Sequence, residues 1–223
     1  MEGDGSELDS SDELIRLVIE DDDEGDEGAT TMVSKPYHNQ HLISEEFELR
    51  DATNLKKIVV GIPGAMRTPY ETGVFEVELH VPRKYPYESP KFLFKTTIFH
   101  PNIGPDGVVC VDMLDDKWYP SFTLQTACLC MQTLMRDPNP LSPLNVEAGR
   151  MMRRDQEMFN RTVIMWTKIY AKGTLSFPDY EERLSIISAL NGDIAEALRA
   201  LTSHSWDQHE ASQRVTIIHP EDE

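Results

Sequence analysis

Cys110 is the side chain of this sequence best suited to covalent chemistry. It closes the stretch TTIFHPNIGPDGVVC (96–110), in which an apolar run ends in His100-Pro101-Asn102, turns through Gly104-Pro105-Asp106-Gly107 and reaches the cysteine through Val108-Val109. A thiolate is a strong nucleophile and its acyl thioester still reacts readily with amines, so a cysteine fixed beside a turn can carry an acyl group. Eight positions separate Asn102 from Cys110, and a strand-turn-strand connection of that length can bring an amide side chain near the sulfur. Asn102 would then donate a neutral hydrogen bond to the oxyanion that forms when the thioester is attacked. The same residue types have blander uses: Asn beside Pro is a common turn residue, and a lone Cys is a common small core hydrophobe. The residues alone leave both uses open.

Positioning such a loop needs a sheet before it and helices after it. From Glu45, Phe47 and Leu49 alternate with charged neighbours, and Leu55 to Ile62 forms a second apolar run closed by Gly61-Ile62-Pro63-Gly64. Phe75, Val77, Leu79 and Val81 alternate with Glu76, Glu78 and His80, the two-residue period of a half-buried antiparallel strand. Phe92 to Phe99 reads as a fourth strand running into the cysteine loop, so four short-linked strands predict an antiparallel meander. Beyond the cysteine, Leu124, Ala127, Cys128, Met131, Leu134 and Met135 recur at helical spacing, with Thr123 as cap and Asp137-Pro138-Asn139-Pro140 as stop. Further helices are predicted over 145–154 and 155–171, the latter burying Met158, Thr162, Val163, Trp166 and Ile169. Sheet first and helices afterwards is an α+β layout.

Lys172-Gly173-Thr174 breaks this pattern and Pro178 marks a linker. Three short amphipathic segments follow, carrying Leu184, Ile187 and Leu190, then Ile194, Leu198 and Leu201, then Trp206, Ala211 and Val215. A core of some 40 residues is marginal, which predicts that this bundle packs on the larger domain. The expected division is an acidic arm at 1–30, a catalytic domain at 31–172, a linker at 173–178, a three-helix domain at 179–218 and a tail at 219–223.

The formal net charge of −18 argues against a phosphate backbone as partner. Thirteen Asp or Glu against one Arg, Arg16, fall in the first 27 residues, so the arm is expected to be disordered apart from a short helix near Leu14, Leu17 and Val18. No apolar run approaches the roughly 20 residues of a membrane span, and the acidic start is unlike a signal peptide. A cytoplasmic or nuclear protein is expected. Three cysteines, Cys110, Cys128 and Cys130, without a Cys-x-x-Cys pair indicate neither a disulfide framework nor a zinc site, and the helical pair reads as core or near-core thiols.

His100-Pro101-Asn102, its spacing to Cys110, Trp118 eight residues later and the upstream YPYESPK (85–91) together resemble the ubiquitin-conjugating enzymes, over about residues 46–171. The resemblance implies the four-stranded meander packed on helices and no cofactor or metal. It also implies that Cys110 accepts ubiquitin from an activating enzyme as a thioester and passes it to a lysine, with a RING- or HECT-type ligase holding both. Asn102 then steadies the oxyanion or the loop, and His100 shapes the turn through backbone hydrogen bonds rather than acting as a base. Asp112 and Ser142 match positions lining the lysine's approach, where many members carry Asp at the place of Ser142. Tyr87, Pro120 and Ser121 match the two loops that grip a ligase, Tyr85, Pro86 and Pro90 shape a turn, and Trp118 packs beneath the cysteine loop. The segment Ser203-His204-Ser205-Trp206-Asp207 resembles part of a ubiquitin-associated (UBA) domain, as in the subgroup carrying one at its carboxy end. Two departures stand out: Leu190-Asn191-Gly192 replaces the usual Met-Gly-aromatic loop, and the acidic arm stands where the family has a basic first helix. The alternatives are a catalytically weak or inactive regulatory or binding protein of the same fold, or a conjugating enzyme for another ubiquitin-like modifier.

Overall fold

The alternation seen around Phe75 is realised as the third strand of a four-stranded antiparallel sheet. The structure is a computed structural model and describes residues 47–54, 56–109 and 118–218. Cys110, Asp112, the acidic arm with its expected short helix, and the tail lie outside the described residues. The strands β1 (Glu48–Asn54), β2 (Lys57–Pro63), β3 (Val74–His80) and β4 (Lys91–Phe94) pair in sequence order, a meander. β2 and β3 run in unbroken register from Lys57 opposite His80 to Pro63 opposite Val74. Ile58, Val60 and Ile62 therefore share one face with Phe75, Val77 and Leu79, all fully buried.

That face is covered by α1 (Leu124–Arg136), which buries Leu124, Ala127, Cys128, Met131, Leu134 and Met135 as its spacing predicts. Thr123 caps it by accepting the Thr126 N–H, and Asp137 closes its last turn on the Thr133 carbonyl before Pro138. Cys128 is buried and Cys130 half-buried. α2 (Val146–Arg154) and α3 (Gln156–Ala171) follow, each opened by a side-chain cap, Asn145 and Asp155.

The fourth strand is shorter than its apolar run. It ends at Phe94 because the Lys95 and Thr96 N–H groups both converge on the Glu76 carbonyl, while Thr96 Oγ1 accepts the Glu76 N–H at 2.8 Å. Two residues opposing one is a bulge, and it turns the chain off the sheet edge. Ile98 and Phe99 are buried for another reason: Phe99 lies against Trp166 and Phe159 of α3, with ring centroids 5.3 and 6.0 Å away.

The last three helices, α4 (Pro178–Asn191), α5 (Ile194–Ser203) and α6 (Gln208–Ile218), form a bundle around Tyr180, Leu184, Ile187, Leu198, Leu201, Ala211 and Val215. Three expectations need correcting. Leu190 and Ile194 are 57% and 46% exposed, because they flank the turn where Gly192, at φ 73°, ends α4. Trp206 precedes α6 in a turn with φ 62°, held by its N–H on the Leu201 carbonyl. In α3, Met158 and Ile169 are only partly buried, whereas Phe159, Met165, Thr167 and Ala171 also face inward.

The bundle does pack on α3. Trp166 Nε1–H donates to Thr202 Oγ1 at 2.9 Å and Trp206 Nε1–H donates to Thr162 Oγ1 at 2.8 Å, a reciprocal pair of buried bonds. Each hydroxyl spends its proton on the carbonyl four residues back, Thr162 on Met158 and Thr202 on Leu198, so both are donor and acceptor at once. Arg161 and Lys168 of α3 add ion pairs to Asp179 and Glu181 of α4. Thr162→Val and Thr202→Val keep the shape and strand an indole N–H in the interior. Each is expected to cost about 1–3 kcal/mol, read as a lowered urea midpoint. An unchanged midpoint in both would show that these bonds do not hold the bundle.

Candidate active site

Three backbone approaches place the loop around His100. Phe94 N–H donates to the Gly107 carbonyl at 2.9 Å, and isolated antiparallel bridges join Leu93 with Val108 and Ile103 with Val109. Gly107 sits at φ 85°, and a Cβ there would meet the Phe94 carbonyl oxygen at 2.1 Å, so the turn requires glycine. The Ile103–Val109 bridge brings together the residue after Asn102 and the residue before Cys110. Val109 and Ile103 are both buried, which fixes the chain entering the cysteine.

His100 is fully buried and bonded at both ring nitrogens: Nε2 lies 3.0 Å from the Leu134 carbonyl and Nδ1 accepts the Asn102 N–H at 3.0 Å. A carbonyl can only accept and an amide N–H can only donate, so the ring must be the neutral Nε2–H tautomer. Burial pushes its pKa down from 6.5 to about 4, against a smaller upward pull from Leu134. A histidine fully engaged with backbone and held neutral is a structural part of the loop.

The Asn102 side chain, also buried, makes a two-point contact with Asn139. Its Nδ2 donates to the Asn139 carbonyl at 2.8 Å and its Oδ1 accepts the Asn139 N–H at 2.7 Å. One Nδ2 hydrogen is thus engaged, and an amide nitrogen carries a second. The Asn145 N–H donates to the Pro101 carbonyl at 3.0 Å, so the segment after α1 is tied to the His-Pro-Asn loop at both ends. Ser142 is exposed on the segment between those ties, beside Leu141, which is 81% exposed. Asn139 was legible only as part of a helix stop, since its partner is 37 residues away.

A second surface is built from Tyr87 and the segment after the undescribed cysteine region. Tyr87 is 78% exposed, and Pro120 and Ser121 are exposed as well. Trp118 Nε1–H donates to the Pro86 carbonyl at 2.6 Å, and its ring lies 6.2 Å from Tyr85 and 5.7 Å from Phe122. Trp118 therefore joins the two loops, and the exposed Tyr119 ring packs on Phe122 beside Pro120. Tyr119 lies outside the motifs used in reading the sequence; an aromatic next to Pro120 was the available signal.

Comparison with known proteins decides the family. A model described as ubiquitin-conjugating enzyme matches residues 31–167, more than half the chain. The chain belongs to the ubiquitin-conjugating enzyme family. It is 34% identical to ubiquitin-conjugating enzyme E2 K of Homo sapiens over 173 residues, which is 77% of this chain and 82% of that one. It is 32% identical to ubiquitin-conjugating enzyme E2 27 of Arabidopsis thaliana over 163 residues, 73% of this chain and 83% of that one. Among solved structures, a Toxoplasma gondii ubiquitin conjugating enzyme domain superposes with a TM-score of 0.52 at 35% identity, covering 56% of this chain and 86% of its own. A Plasmodium yoelii structure assigned to the same enzymes gives 0.56 at 31% identity, covering 77% of this chain and all of its own. As a ubiquitin-conjugating enzyme, the chain is a transferase of the family that works with ubiquitin, activating enzymes and ligases.

The buried neutral imidazole gives this conjugating enzyme a pH signature. Between pH 6.5 and about 4 the unfolded chain protonates a histidine that the folded chain keeps neutral. Stability is therefore full above 6.5 and falls by about 3 kcal/mol as pH drops through that window. Urea midpoints measured against pH should show this loss in the native chain and lack it in His100→Asn. An NMR titration of the His100 ring, midpoint near the lower limit, reads the same quantity without a variant; an ordinary histidine midpoint would refute it.

Proposed function

We propose that this chain turns over as a ubiquitin carrier with Cys110 as its nucleophile. The Cys110 thiolate attacks the carbonyl of the ubiquitin terminus held as a thioester on the activating enzyme. A new C–S bond forms, and the activating enzyme's thiolate leaves. A deprotonated lysine amine then attacks the carried carbonyl, the C–N bond forms as the C–S bond breaks, the Cys110 thiolate leaves, and the nitrogen gives its extra proton to water. The observation that carries this reading is the double tie of Asn102 to Asn139, next to a loop whose Ile103–Val109 bridge runs toward the cysteine. An amide oriented in that way, with an Nδ2 hydrogen to spare, suits a site where negative charge develops on oxygen. Asp112 and Ser142 are assigned to the lysine's path, where partial desolvation and oriented acceptors help the amine lose its proton more than a strong base would.

Tyr87, Tyr119, Pro120 and Ser121 offer a small, exposed, aromatic-rich face, the kind that weak and exchanging partners use, and we assign it to the ligase. The bundle, read as UBA-like, is assigned chiefly to packing on α3, on the strength of the reciprocal indole-hydroxyl bonds. A reducing compartment, cytoplasm or nucleus, keeps the carrier thiol free.

The test is charging with activating enzyme and labelled ubiquitin. A thiol-sensitive adduct is expected in the native chain and none in Cys110→Ala. Asn102→Ala should still charge but discharge to free lysine some 10²-fold more slowly. Tyr87→Ala should leave charging unchanged and reduce only ligase-stimulated discharge. An adduct with another modifier and none with ubiquitin would reassign the substrate. No adduct with any modifier would leave a regulatory protein of the same fold.

A further inference from the structure

The bundle and α2 enclose a groove of about 630 Å³ whose walls include Arg150, Arg154, Glu147, Asp155, Ser203 and Ser205. Its lining carries two arginines and two carboxylates, and a further arginine reaches it from α6. Asp155 spends an oxygen on the Met158 N–H as the cap of α3. Glu147, exposed at the groove, has its pKa raised by desolvation, against a smaller downward pull from Arg214, Arg150 and His204. Arg214 in turn donates to Ser203 Oγ at 2.7 Å, bringing a third guanidinium to the rim. The Arg154 side chain has no hydrogen bond or ion pair among the described residues. Cations are scarce in a chain with 21 Lys and Arg against 39 Asp and Glu, and α2 alone carries Arg150, Arg153 and Arg154 among its nine residues.

We propose that this groove is the intramolecular docking site of the acidic arm, with Glu20 to Glu27 as the segment that occupies it. That octad, EDDDEGDE, holds seven carboxylates in eight residues, and guanidinium groups pair with carboxylates in two-point geometry. The tether permits it. Nineteen residues separate Glu27 from Phe47, where the described chain begins. Fully extended they reach about 65 Å, beyond the ~40 Å width of a domain of this size. Behaving as a flexible coil they place the octad at roughly millimolar effective concentration. Contacts too weak to hold a free peptide therefore suffice to keep the arm engaged. An engaged arm screens the arginines from acidic partners in trans, one helix away from the Ser142 segment, since Arg153 also donates to the Pro140 carbonyl at 2.5 Å.

The experiment compares the full native chain with a full-length variant whose seven octad carboxylates are replaced by Asn or Gln. NMR reads the side-chain Nε–H signals of Arg150 and Arg154 and the amides of 202–205. At roughly 0.01 M salt these signals are expected to differ between the two proteins, and the difference should vanish near 1 M, where screening acts within a few Å. Arg150→Gln with Arg154→Gln, both exposed and outside the catalytic machinery, should move the arm's own amides to their high-salt positions. Identical spectra at low salt would overturn the proposal. So would changes confined to Arg67 and Arg136, which line another surface hollow, or to Lys57 and Lys95 on the sheet. Shifts that grow with protein concentration would also overturn it, by showing the arm on a second copy.

Discussion

The neutral imidazole of His100 is the constraint around which the rest of the site is arranged. It sits with no solvent contact between a carbonyl at the end of α1 and the N–H of Asn102. A charged ring would set an Nδ1–H against that N–H and lose an acceptor the backbone needs, in a place where water cannot replace it. With the ring neutral, the Asn102 backbone is fixed, and a fixed backbone lets its side chain meet both polar atoms of Asn139. The sheet contributes the Phe94 N–H, which holds the Gly107 carbonyl, and α1 contributes Leu134. The His-Pro-Asn loop is thus a consequence of packing the sheet against one helix, with its buried polar groups paired.

The same economy governs the carboxy-terminal bundle. Three short helices bury little on their own, and the deficit is met by α3, whose Trp166 and Thr162 complement Thr202 and Trp206 across the contact. Trp206 adopts a left-handed backbone conformation, as does Ser205 before it. Such conformations cost of order 1–3 kcal/mol each, and they persist where the surroundings over-determine them. Here the Trp206 ring lies 4.0 Å from that of Tyr180, and its carbonyl accepts from Arg183 at 2.6 Å. The bundle reads as an extension of the core rather than a bead on a string.

Local rules made much of this legible in the sequence. The alternation at Phe75 to Val81, the α1 stripe, the Thr123 cap and the break at Lys172 each depend on neighbours within a few residues, and each is found where the spacing places it. The misreadings share a cause. Phe92 to Phe99 is one apolar run, but Phe99 is apolar because it lies under α3, which the run itself does not reveal. Leu190 fits a helical stripe, but the stripe ends when Gly192 turns the chain. Asn139 and the Trp-Thr pairs are invisible to pattern because each links positions dozens of residues apart and uses residue types common in turns and helices. The family resemblance supplied roles for Tyr87, Pro120 and Ser142 that composition and periodicity did not.

α2 joins these two regions mechanically. Asn145 caps it through the Ala148 N–H while donating its own N–H to Pro101, so one residue ends the site's segment and begins the helix. Gly149 lets the helix close on that segment, since a Cβ there would fall 2.7 Å from Pro143. With Asn139 held by Asn102 and Pro140 held by Arg153, the stretch bearing Leu141 and Ser142 is pinned at both ends and along its back. An exposed segment anchored in this way presents its side chains in one arrangement. If, as proposed, this segment lines the lysine's path, little ordering entropy remains to be lost when an acceptor arrives, and that loss would otherwise add to the barrier of the transfer.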